Sequence, residues 1–252
     1  MDDIKQSQTA ESQSGSQGIK NVVLVHGAFA DGSSWEKVIL QLQNDGFNVI
    51  AVQNPLTSLD DDVAATKRAI ALMDGPVLLV GHSWAGMVIS AAGNDPKVAG
   101  LLYVCALVPE HDQAVEDVTK PFPPAPGNLE FKQDSSGFLS LSFKGMTEHF
   151  ALDLPPNDRK VLFATQVPWA AISITQKVSN PAWKTKPSWY IVGTNDMIIN
   201  PELQRTVARR INATTIELSS GHIPMVSDPG KVATFIIRAA ENLSSMLTTA
   251  SH

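Results

Sequence analysis

A mostly parallel α/β sheet of about six strands, with helices on both faces and one long insertion, is the fold class predicted for this chain. Short apolar runs alternate with amphipathic stretches from residue 21 onward: Val22 to Val25, Phe47 to Val52, Val77 to Val80, Val98 to Val104, Trp189 to Val192 and Thr214 to Leu218. These runs are apolar at nearly every position, which suits strands covered on both faces. Parallel neighbours require crossover connections, and the intervening segments have helical spacing. The alternation lapses only between about Pro109 and Lys186.

Each element has a local reason. Ser33 and Glu36 have capping-box spacing, and Trp35, Val38, Ile39 and Leu42 follow at helical intervals. Asp60 to Asp62 are expected to cap a helix carrying Val63, Ile70 and Met73. Asn200-Pro201 and Asp228-Pro229 each place a polar cap before a proline at the first helical position. The apolar faces that follow are Leu203, Val207 and Ile211, then Val232, Phe235, Ile236, Ala239 and Leu243. Between residues 109 and 186 come a proline cluster (Pro121, Pro123, Pro124, Pro126), an alternating piece at Phe138 to Phe143, and helix-like material from Met146 to about Gln166. An excursion of that length is too long for an ordinary loop and reads as a cap over one end of the sheet.

Composition narrows the function classes. A chain of 252 residues, 43% hydrophobic, can bury one substantial core, so a single domain over 21–252 is expected. The net charge of −6 and the lack of a basic run interleaved with aromatics argue against nucleic acid as a partner. Cys105 is the single cysteine, read as a small buried apolar group, and no Cys/His cluster has zinc spacing. Residues 1–20, rich in Gln, Ser and Gly, read as a disordered tail without the features of a signal peptide or membrane anchor, so a cytoplasmic location is expected.

The chemistry is expected at Gly81-His82-Ser83-Trp84-Ala85-Gly86, which follows an apolar run and precedes the small-residue helical segment Met87 to Ala92. In a sharp strand-to-helix turn a serine projects above the sheet, provided the residues two before and two after it are small. Gly81 and Ala85 meet that demand, although Ala85 replaces the more usual glycine, and Gly86 beside it keeps flexibility. A nucleophilic serine needs amides for the developing oxyanion; the Trp84 N–H and the Ala28 N–H, in the loop after the first strand, are the candidates, with Phe29 lining the pocket. His26 reads as scaffold. Trp169, Trp183 and Trp189 fit either core or pocket.

Serine also needs a base, and the base a carboxylate to hold its tautomer. His222 follows the last predicted strand and precedes the Asp228-Pro229 helix start, whereas His82 lies beside Ser83, His111 and His149 fall in the insertion, and His252 is terminal. Asp196 follows Trp189 to Val192 through Gly193-Thr194-Asn195 and is favoured as the acid over Asp112.

With these residues in hand, the chain resembles the α/β-hydrolase superfamily over nearly all of 21–245. Within it the likeness is to the branch of plant methyl-ester esterases and hydroxynitrile lyases and their bacterial relatives. It rests on His26-Gly27-Ala28 with Gly32 and Trp35, Gly81-His82-Ser83, Thr194-Asn195-Asp196 with Pro201-Glu202-Leu203-Gln204, and Gly221-His222. The chain order Ser, Asp, His is that of the superfamily. Lyases of this branch carry a threonine after the loop histidine and a lysine after the catalytic one; Gly27 and Ile223 stand there, so the resemblance implies an esterase. It further implies a serine hydrolase acting on a small-molecule carboxylic ester through an acyl-enzyme, without metal or organic cofactor, as a monomer or homodimer. An acyltransferase or perhydrolase using the same residues is the alternative, ahead of a C–C lyase or a non-catalytic binding module. Serine at the nucleophile position argues against the dehalogenase and epoxide hydrolase chemistries, which use aspartate there.

Overall fold

The computed structural model of the chain describes residues 18–249. Its strands are β1 (Asn21–Val25), β2 (Asn48–Val52), β3 (Val77–His82), β4 (Val98–Val104), β5 (Phe131–Gln133), β6 (Phe138–Leu141), β7 (Trp169–Ala170), β8 (Ser188–Gly193) and β9 (Thr214–Leu218). Its α-helices are α1 (Glu36–Asn44), α2 (Leu59–Ala71), α3 (Ala85–Ala92), α4 (Val115–Thr119), α5 (Pro156–Thr165), α6 (Pro201–Arg210), α7 (Pro224–Ser227) and α8 (Pro229–Thr249).

Six strands form one sheet in the order β2-β1-β3-β4-β8-β9, with every neighbouring pair parallel. The four inner strands are buried almost throughout, while the edge strands β2 and β9 are partly exposed. Continuous apolar runs therefore mark the inner positions, as burial on both faces requires. From β1 the chain goes outward to β2 and returns to β3 on the other side, so the loops leaving β1 and β3 diverge. Ligand crevices of open parallel sheets lie at such a reversal, beyond the carboxyl ends of the strands. α8 buries Val232, Phe235, Ile236, Ala239 and Leu243, the stripe its spacing predicts. No helix among the described residues is long and apolar enough to cross a membrane.

Several local expectations need correction. Ile19, assigned above to the tail, is buried, and its amide donates to Ser244 Oγ at 2.7 Å; residues 1–17 and His252 lie outside the described residues. The Ser33/Glu36 capping box does not form. Asp31 instead accepts from the Ser33 amide at 2.7 Å, a 3-10 turn covers Gly32–Trp35, and α1 begins at Glu36. The N-cap of α2 is Ser58, accepting from the Asp61 amide, so Asp60 to Asp62 fill the first turn. The buried face of α2 runs Leu59, Asp62, Ala65, Thr66, Ala69, Ile70, with Val63 at its margin.

Between β4 and β8 the inserted segment builds its own antiparallel sheet, β5-β6-β7. The predicted helical material divides into a π-helical turn, Gly145–Phe150, and α5. Pro155 and Pro156 lack amide hydrogens, so the helix cannot run through them and restarts with Pro156 at its first position. The segment is tied to the main sheet's loops where the Ala170 amide donates to the Leu56 carbonyl at 2.8 Å.

Candidate active site

β3 delivers Ser83 into a backbone turn with φ +56°. A non-glycine residue there is strained, so the surroundings must hold it. The Ser83 amide donates to the Val104 carbonyl at 3.1 Å, and its carbonyl accepts from Gly86 at 3.0 Å and Leu107 at 3.1 Å. A Cβ on Gly81 would lie 2.8 Å from the Ala85 carbonyl, and one on Gly86 would lie 1.9 Å from the Leu107 carbonyl. Gly86 is thus required by close backbone approach, which replaces the flexibility assigned to it above; Ala85 is fully buried, its methyl accommodated. We expect Gly86→Ala to shift Leu107 and the Ser83 turn together, costing about 1–3 kcal/mol in denaturant unfolding and most of any Ser83-dependent activity.

β8 and β9 bring the other two residues to the same edge. His222 Nε2 lies 2.8 Å from Ser83 Oγ, and His222 Nδ1 lies 2.8 Å from Asp196 Oδ2. The side chains of His222 and Asp196 are fully buried. Asp196 Oδ1 accepts the Ile198 and Ile199 amides at 2.8 and 3.0 Å, and Oδ2 also accepts Gln204 Nε2 at 2.7 Å. Surrounded by donors, the carboxylate presents only an acceptor to the ring, so Nδ1 carries the hydrogen and Nε2 faces the serine hydroxyl bare. Such an arrangement can draw the hydroxyl proton as Oγ attacks an electrophile. Asp112 is not part of it: the side chain is exposed and pairs with His111 at 3.2 Å.

The loop after β1 closes the other side. His26 donates from Nδ1 to the Gly27 carbonyl at 2.8 Å and accepts the Asn54 amide on Nε2 at 2.9 Å. Burial lowers its pKa, consistent with a neutral scaffold role. Gly27 leaves no room for a side chain, because a Cβ would lie 2.7 Å from Ser83 Cβ. The backbone amides of Ala28 and Trp84 have no hydrogen-bond partner among the described residues, and both residues line the same cavity as Ser83 and His222. That cavity measures about 210 Å³. Phe29 and Trp84 line it; Leu107, Phe131, Phe150 and Trp169 are among its other apolar walls, and Glu116 and Asn128 among its polar groups. Of the ambiguous tryptophans, Trp169 belongs to the cavity and Trp189 to the core.

Sequence reasoning gave no role to the groups that hold this constellation. Gln204 is fully buried, donates to Asp196 and accepts the Gly193 amide at 3.1 Å. It lies on the inward face of α6 beside Leu203, Val207 and Ala208, and a polar residue on an apolar face was the available signal. His82 donates from Nε2 to the His222 carbonyl at 2.8 Å, and burial, then His222, push its pKa well down. The Gly221 amide donates to Asp153, from the inserted segment. Gln204→Leu is expected to cost about 1–3 kcal/mol by orphaning the Gly193 amide, with kcat falling more than KM rises; urea melts and steady-state kinetics read the two effects.

A strained serine between a parallel strand and a helix, joined to a histidine and a carboxylate from later strand ends, defines the nucleophile-turn class of α/β proteins. The chain belongs to the alpha/beta hydrolase family, whose model matches residues 22–235. A pyrethroid hydrolase of Sphingobium wenxiniae is 24% identical over 261 residues, spanning 92% of this chain and 92% of that protein. Methylesterase 2 of Arabidopsis thaliana is 24% identical over 254 residues, spanning 88% of this chain and 97% of that protein, in line with the resemblance to the plant methyl-ester esterase branch. The solved structure of polyneuridine aldehyde esterase has a TM-score of 0.77 at 18% identity, covering 88% of this chain and 99% of that one, and shares the fold.

Proposed function

We propose that this protein hydrolyses small carboxylic esters through an acyl-enzyme on Ser83. The observation that carries the proposal is the unbroken hydrogen-bond chain from Asp196 through His222 to Ser83, ending at a largely apolar cavity where two backbone amides are free. His222 Nε2 takes the hydroxyl proton as Ser83 Oγ bonds to the carbonyl carbon. The carbonyl oxygen becomes an oxyanion held by the Ala28 and Trp84 amides. Collapse breaks the bond to the alkoxy oxygen, which leaves as alcohol with the proton from His222. Water then attacks the acyl-enzyme, His222 accepts its proton, and release of the acid restores the serine hydroxyl.

The residues of the inserted segment act in this reading as a cap, and its aromatic side chains favour an ester with an apolar acyl or alcohol part. The names of the relatives, a hydrolase and a methylesterase, point to the same reaction class. Cyanohydrin cleavage is disfavoured because Ile223, buried and apolar, offers no cation beside His222, and Gly27 leaves no space for a threonine.

A panel of methyl and p-nitrophenyl esters, with product analysis in the presence of added methanol, tests the proposal. Free acid is expected as the main product. Transfer to methanol in preference to water would make the protein an acyltransferase, and failure to turn over any ester would reject the reading.

A further inference from the structure

Asp62 is fully buried, and neither the hydrogen-bond chain nor the mechanism above uses it. Its two oxygens each hold one donor: Oδ1 accepts the Leu56 amide at 2.8 Å and Oδ2 accepts the Trp84 indole Nε1–H at 2.7 Å. No lysine, arginine or histidine is paired with it among the described residues, and the charged group acting on it is the adjacent carboxylate of Asp61. Burying a carboxylate without a cation is costly, and an apolar residue in its place would pack at less expense. One donor, however, belongs to a wall of the reaction cavity, and the other, Leu56, anchors the strand that carries Trp169 to it. Trp84 follows Ser83, lines the cavity, and sets its indole at a tilt 5.1 Å from Trp169, which meets Phe29 at 6.2 Å. Leu56 is held at φ +57° and accepts the Ala170 amide, the link between the inserted segment and the sheet.

We propose that Asp62 is a positioning residue, which fixes the Trp84 indole, and with it the Trp84 backbone amide, as one wall of the reaction cavity. The proposal rests on the ester-hydrolase reading above. A half-ångström drift of this wall would misplace both the ring that packs the substrate and the amide aimed at the oxyanion.

Acidification should disturb the contact. Burial raises the Asp62 carboxyl to about 6 from an ordinary 3.8, against the two hydrogen bonds that favour the charged form. Since each oxygen accepts an N–H, a bound proton makes one of them a poorer acceptor and weakens the contact it holds. The native value lies above the unfolded one, so between 3.8 and about 6 the folded chain holds a proton that the unfolded chain has released. This group's contribution to stability is therefore full below that window and lost as pH rises through it, a slope that Asp62→Asn removes.

The test combines a kinetic cycle with a resonance. Wild type, D62N, W84F and D62N/W84F are compared for kcat/KM on p-nitrophenyl esters, and each is treated with a fluorophosphonate. Each single variant is expected to lose at least about tenfold in kcat/KM, with the double variant no worse than the poorer single, since both substitutions break the same contact. Losses that multiply in the double variant would overturn the proposal. In wild-type protein carrying ¹⁵N-tryptophan, the Trp84 indole resonance, identified by its loss in W84F, is expected to titrate with a midpoint near pH 6, and Asp62→Asn to abolish that movement. A Trp84 indole resonance at the position of a tryptophan without an acceptor would overturn the proposal even where a variant fails to fold. Absence of fluorophosphonate labelling in wild type would instead remove the esterase reading, and the positioning role with it.

Discussion

Replacing Ser83 by alanine is expected to lower kcat by roughly 10⁴- to 10⁶-fold on any ester the protein cleaves, with stability within about 1 kcal/mol of wild type. In the mechanism proposed above, the size of the effect follows from its place at the end of the hydrogen-bond chain. Ser83 Oγ is the atom His222 Nε2 faces at 2.8 Å, and among the described residues no other hydroxyl or thiol takes part in that contact. Cys105, the nearest rival by chemistry, is buried with its Sγ against the Gly221 carbonyl, and burial raises its pKa well above the ordinary value. A protonated, enclosed thiol makes a poor substitute nucleophile. The turn itself is held by backbone bonds to Val104, Gly86 and Leu107, which alanine keeps. Circular dichroism and a thermal melt alongside steady-state rates check both halves; retained turnover in a folded variant would count against the assignment.

Asp196→Asn is expected to reduce kcat by roughly 10⁴-fold while KM changes little. An asparagine oxygen can still accept the Ile198 and Ile199 amides, but its NH₂ then takes the place of Oδ2, facing two donors. Gln204 cannot turn its amide round to help, because its oxygen already accepts the Gly193 amide. His222 is driven to carry its hydrogen on Nε2, pointing at Ser83, and no base remains. The reverse orientation fails too, since it sets NH₂ against the two backbone amides. A loss smaller than about tenfold would mean that the carboxylate does not set the tautomer.

Much of the sheet was legible because inner parallel strands are buried on both faces, so their apolar runs need no partner to be recognised; β4 and β9 begin and end where the runs Val98 to Val104 and Thr214 to Leu218 do. Ser83, His222 and Asp196 were legible for a related reason. Each follows a strand by a few residues, and a common register carries the strand ends to one edge. Asp62, taken as a cap, and Gln204, named only within a motif, were given no inward role because a charged first turn and a polar helix residue are ordinary on exposed faces. Only the spacing of their buried neighbours, Leu59 with Ala65 and Leu203 with Val207, marks them as inward. The cavity walls from the inserted segment were the least legible. Phe131, Phe150 and Trp169 take their places through long-range contacts, such as the Ala170 amide on the Leu56 carbonyl, for which no local periodicity stands.

Peptide mapping after reaction with p-nitrophenyl dimethylcarbamate, whose carbamoyl-enzyme hydrolyses slowly, tests covalent catalysis by this serine most directly. One p-nitrophenolate released per chain, with the carbamoyl group found on Ser83, is the expected result. Release of p-nitrophenolate without an adduct, or with the adduct on another residue, would contradict the account.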